Sequence, residues 1–166
     1  MEFQNTLRKL PKEIKLLFSA FIITLNIGFF TGLNFVNETT NFQSKGIENN
    51  YLGNEEDEEA EVMQFKKSKK EILTLVHTHI LSLSIIFLLL GGILSLTSIN
   101  KKWKTFLICE PFVSLVLTFG GIYFLWSGVL WFKYIIMFSG LAMTATIILS
   151  SVINLRECQM SINKKD

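Results

Sequence analysis

Charge is missing from four long stretches of this chain. Residues 16–37, 72–100, 111–132 and 134–155 hold no Asp, Glu, Lys or Arg, and they are 22, 29, 22 and 22 residues long. About 20 apolar residues in a helix cross the roughly 30 Å hydrocarbon core of a bilayer. Helix is also the one conformation in which a lone segment satisfies its own backbone there. The fold class that follows is all-α, a four-helix transmembrane bundle formed by a single membrane domain over residues 1–166. Composition agrees, since only 18% of the 166 residues are charged and the mean hydropathy is +0.40. An ordinary soluble domain carries about 25% charged residues. The expected surroundings are therefore the lipid bilayer, with another membrane protein or a second copy of the chain as partner, and no nucleic acid.

The pattern places helices at about 14–36, 72–98, 104–126 and 131–155. Between the second and third lie Ile99 to Trp103, and between the third and fourth Ser127 to Leu130, so these neighbours form antiparallel hairpins. The first connection is different. Residues 37–71 contain nine acids and five lysines, a net charge of −4 against +6 for the rest of the chain. The run Glu55-Glu56-Asp57-Glu58-Glu59-Ala60-Glu61 lacks the spaced ligands and central glycine of a calcium loop and reads as a solvated segment. Arg8, Lys9, Lys12 and Lys15 precede the first apolar stretch as in a signal peptide. That stretch is too long for one and ends at Gly32-Leu33-Asn34-Phe35-Val36 without a small-x-small cleavage site, so it reads as a retained span.

Lysine and arginine counts set the orientation. With both termini in the cytoplasm the inner side carries ten such residues and the outer side six, which favours an N-in, C-in topology with residues 37–71 outside. The quartet Lys66, Lys67, Lys69 and Lys70 counts against it. Trp126, Trp131, Tyr123 and Tyr134 at one end and Trp103 at the other suit the two interfacial belts. Inside lipid, close helix approach uses small residues, and the chain offers Gly91 and Ser95, then Ser114, Thr118, Gly120 and Gly121, then Gly140 and Thr144.

Two places can carry chemistry. The only histidines stand together in His77-Thr78-His79 near the outer end of the second helix. Positions i and i+2 are about 200° apart on a helix, so the two imidazoles point to nearly opposite faces and cannot share one ion. His77 lies in a stripe with Thr74, Leu81, Ser84 and Gly91, the more polar side, which is expected to face the bundle interior. Thr31, Asn34, Tyr123 and Tyr134 are expected at its depth. His79 then faces another helix, a partner or the interface. His77 is open to three readings: a buried polar anchor, a ligand for a metal or haem iron, and a group in proton or quinone chemistry. The second place is Glu110, the one carboxylate within a span, followed by Pro111, which removes a hydrogen bond and opens the helix beside the acid. Its alternatives are a protonatable or binding site and an interfacial residue in a helix that begins later. The two places should sit at opposite ends of the bundle.

Cys109 and Cys158 form no C-x-x-C and are expected to remain thiols, Cys158 just beyond the last helix. Asn37-Glu38-Thr39 matches a glycosylation acceptor but lies close to the membrane and carries no weight. No P-loop, dinucleotide fingerprint or nucleophile elbow is present, so the reading leans away from an enzyme.

Gly46-Ile47, Tyr51-Leu52-Gly53-Asn54-Glu55, Lys67-Ser68, Glu71-Ile72 and His77-Thr78-His79 together resemble a pattern in uncharacterised bacterial four-span inner-membrane proteins. The resemblance covers the first loop and second helix, about a third of the chain. It implies an inner-membrane location and a segment Gly46–Glu55 that folds over the outer end of the bundle, covering His77 with Tyr51 reaching in. More distantly, His-x-His followed by Ser82-Leu83-Ser84 and Gly91-Gly92 is similar to small membrane proteins related to haem-copper oxidase subunit I. That likeness implies haem b on His77 or His79 as axial ligand, although no histidine on the other helices supplies a second one. Three functional expectations result: a non-enzymatic membrane subunit or assembly factor, a haem- or metal-binding redox component, and an oligomeric proton-coupled transporter using Glu110.

Overall fold

The computed structural model describes residues 6–55, 57 and 62–160. The chain forms α1 (Thr6–Lys9), α2 (Lys12–Thr40), α3 (Ser44–Leu52), α4 (Lys69–Ser95), α5 (Lys101–Trp126) and α6 (Phe132–Met160). Four of these, α2, α4, α5 and α6, are long and apolar enough to cross a membrane. Leu141, Phe138, Ile27 and Leu88, among other large apolar side chains, lie exposed along them. An apolar exterior of this kind is what lipid covers. Both described ends of the chain lie at one end of the bundle, called here the terminal end, and α3 lies at the other, the loop end.

The hairpin α5–α6 is the centre of the packing. Thr118 Oγ1 and Ser139 Oγ meet at 2.7 Å in its buried seam. A Cβ on Gly121 would stand 3.0 Å from Ile136 Cγ1, so glycine lets the two helices close up there. Gly91 allows a looser approach of α4 to α5, with Ile108 3.7 Å from where its Cβ would be. Nothing lies within 4 Å of such a position at Gly120 or Gly140, so those two members of the expected small-residue contacts are not used. α4 packs mainly on α5, with Phe87 edge-on to Phe112. α2 packs on α6 and α3 and buries little besides Lys15, Ile22 and Thr40.

Local sequence explains the ends of the helices. Ser68 caps α4 in a reciprocal box, accepting from the Glu71 amide while Glu71 accepts from the Ser68 amide at 2.7 Å. Asn100 caps α5 by accepting from the Lys102 amide at 2.9 Å. α5 thus begins at Lys101, so Glu110 is set well inside the helix, and the reading of a late-starting, interfacial acid is corrected. At the loop end Phe132 stacks on Phe124 at 4.8 Å and lies 4.3 Å from the Trp131 ring.

Candidate functional site

The loop end is a built structure. α2 ends on Asn41 in the left-handed region, a conformation asparagine tolerates, with its amide bonded to the Asn37 carbonyl at 2.7 Å. α3 then crosses back so closely that a Cβ on Gly46 would fall 2.0 Å from the Thr40 carbonyl oxygen. Past α3, Gly53 takes φ +84°. Asn54 ties the returning strand of chain with three bonds: its amide to the Gln64 carbonyl at 2.9 Å, its Oδ1 to the Gln64 amide at 2.6 Å and its Nδ2 to the Val62 carbonyl at 2.9 Å. The Lys67 amide donates to Tyr51 O at 3.2 Å, and Trp126 Nε1 donates to Lys67 O at 2.7 Å. Lys133 meets Glu48 at 2.6 Å, fixing α3 to the start of α6. Tyr51 is partly buried against the core, and that burial pushes its phenol up to about 12. Of the acidic run, only Glu55 and Asp57 fall among the described residues, and Asp57 pairs with Lys45 at 3.0 Å.

This cap does not reach His77. α3 sits over the ends of α5 and α6, and His77 is exposed on α4 together with Thr74, Thr78 and Leu81. The expectation that the His77 stripe faces inward is therefore corrected, as is the expectation that Tyr51 covers it. The physical reason lies in the opposite stripe: Ile72, Phe87, Leu90 and Leu94 are bulkier and take the interior. His77 makes no side-chain hydrogen bond among the described residues, so it is not a buried polar anchor. Asn34 and Tyr134 are exposed and Tyr123 packs its ring 6.1 Å from Trp126, leaving none of them joined to His77. His79 does face another helix. Its ring stacks on Phe119 of α5 at 4.7 Å, and its Nδ1 lies 2.8 Å from the Leu75 carbonyl oxygen. Among the described residues no three His, Cys, Asp or Glu side chains gather as a metal would need, and the two imidazoles diverge, so one chain does not fit a two-histidine haem.

At Glu110 the structure adds a hydroxyl partner to the expected acid–proline pair. Pro111 is buried inside α5, Ser114 one turn on donates its hydroxyl to Glu110 Oε1, and Oε2 is buried with no partner among the described residues.

The terminal end holds a knot that the sequence reading missed. Arg8 donates from Nε and Nη2 to the two oxygens of Glu157 at 2.7 and 2.8 Å, and the Ser98 hydroxyl also donates to Glu157. This pairing holds the Arg8 guanidinium protonated even above its ordinary range. Leu7 is wholly buried and its amide bonds Leu96 O at 3.1 Å. Lys15, itself buried, donates to Arg8 O at 3.0 Å. α6 runs on to Met160, so Cys158 lies inside the helix and is fully buried rather than beyond it. Nothing in the spacing of residues 8, 98 and 157 signals that they meet; only the fold does.

Residues 41–165 match the model of the Aq_1264_TM family, a transmembrane helical domain. The chain belongs to that family. It is an integral membrane protein. No curated protein and no solved structure matches it. The Aq_1264_TM match takes in α3 to α6 and begins just past α2. It therefore covers α3, the returning segment and the α4–α5–α6 packing, while α2, with the Thr40 carbonyl that Gly46 meets, lies outside it.

Proposed function

We propose that the protein is a non-enzymatic subunit or assembly factor of a larger complex in a bacterial inner membrane, and that it meets its partner along the outward edge of α4. The observation that carries this reading is the exposed set Thr74, His77 and Thr78. His77 stands eight residues into α4, about 12 Å along its axis. At that place an imidazole turned to lipid has lost water without gaining a hydrogen-bond partner, which costs free energy. A second transmembrane helix, from another protein or from a second copy, removes the cost by supplying a polar group across the interface. A haem or metal reading rests on His79, whose Nδ1 is engaged by Leu75 O and whose second ligand a second copy would supply.

Photo-crosslinking in native membranes tests the partner reading. A benzoylphenylalanine at Leu81 should give a discrete protein adduct whose yield drops several-fold in His77→Ala, and one at Phe138 on α6 should give none. Only lipid adducts at both positions, or a Leu81 adduct indifferent to His77, would overturn it.

A further inference from the structure

Glu110 shares one edge of α5 with Phe106, Val113 and Leu117, which stand four before, three after and seven after it. All three are exposed, at 53%, 59% and 43%, so this edge is turned to lipid. The carboxyl group itself is swung inward by the bond to Ser114, and Oε2 is buried with no partner among the described residues.

Among the described residues no charge stands beside it on any helix packed around α5. On α5 the nearest cation is Lys104, about 9 Å back along the axis, and its ammonium already donates to Ser95 O and Thr97 O at 3.0 and 2.6 Å. Between Glu71 and Lys101 the sequence has no charged residue, and between Lys133 and Arg156 it has none either, so α4 and α6 face Glu110 with neutral side chains. The Thr118–Ser139 and Gly121–Ile136 contacts fix the α5–α6 register and set Ile147 level with Glu110. Its neighbour Thr146 donates its hydroxyl to Ala142 O at 2.8 Å. His79 stacks on Phe119, about 14 Å further along α5. α3 is at the far end. On α2, Lys12, Glu13 and Lys15 lie in the first turn at the terminal end, with Lys15 on Arg8 O. Pro111, having no amide proton, leaves the Leu107 carbonyl without its helical donor.

An ionised carboxylate costs most in an apolar surround with no cation beside it, and a neutral acid avoids that cost. We propose that Glu110 is a proton-binding site inside the bilayer, a carboxylic acid held by Ser114 on the lipid-facing edge of α5.

Two measurements at pH 7 on the full-length protein in lipid vesicles decide it. The infrared spectrum should contain the carbonyl stretch of a neutral carboxylic acid in an apolar site, and Glu110→Gln should lack it. Dicyclohexylcarbodiimide, which partitions into lipid, should then react. The carboxyl oxygen adds to the carbodiimide carbon, the acid proton moves to nitrogen, and the O-acylisourea rearranges to a stable N-acylurea with every atom retained. The adduct should map to Glu110 by fragment mass spectrometry in a Cys109→Ser background, which removes the neighbouring exposed thiol. Mapping on the unaltered carboxyl needs no Glu110 variant to fold. Absence of the neutral-acid band, or of an adduct at Glu110 when the band is present, overturns the proposal.

Discussion

Gly46 meets the Thr40 carbonyl across the tightest backbone approach in the loop end. Backbone cannot move aside as a flexible side chain can, so Gly46→Ala has to push α3 off α2. The expected loss is about 2 kcal/mol, in the range of overpacking in a filled site, measured as a lowered thermal unfolding midpoint in detergent. Gly28→Ala on the open side of α2, where nothing lies within 4 Å, is the control and should leave the midpoint unchanged or slightly raised. The residues that carried the family-like pattern, Gly46, Gly53, Asn54, Ser68 and Glu71, turn out to be this architecture: a crossing, a positive φ, a staple and a capping box. Their types were legible in the sequence. Their purpose was not, because it depends on Thr40 and Gln64 coming back to meet them. His77 shows the opposite failure. Stripe polarity pointed it inward, because polar side chains in a membrane helix tend to face the bundle rather than lipid, but the bulkier Ile72, Phe87 and Leu90 took that face instead.

At the scale of elements, length and hydropathy were enough to find α2, α4, α5 and α6, because the bilayer permits few other conformations. They were not enough to find α1 or α3. α1 spans four residues and is held by Leu7, Arg8 and their long-range partners rather than by its own propensity. The ion pair that fixes it is testable as a unit. Arg8→Met removes the guanidinium and leaves the buried Glu157 carboxylate with only Ser98, whereas Arg8→Met with Glu157→Met removes both charges. Arg8 is exposed and Glu157 buried, and stranding a buried charge by removing its partner costs more than replacing both members with apolar groups. The single variant is therefore expected to unfold at a lower temperature than the double variant in the same detergent, and the reverse order would assign Glu157 no dependence on Arg8.

For the whole molecule, the lysine counts give a direction across the bilayer that helix packing alone does not carry. The contrary quartet before α4 lies at the loop end, where Lys66 stands over the Trp126 ring at 5.4 Å and the Lys67 backbone is bonded at both amide and carbonyl. With Cys109 and Cys158 replaced by serine, Lys45→Cys should react with a membrane-impermeant maleimide added to intact cells, and Lys102→Cys only after the membrane is opened. The inverse result would turn the bundle over without altering any contact in it. The knot at the terminal end also bears on how such a chain is made. Arg8 and Glu157 are 149 residues apart in sequence, so on the ribosome the first of them emerges long before the second exists. The amino-terminal arm can meet Glu157 only after three further spans have been made, so this contact between the two ends of the chain forms late.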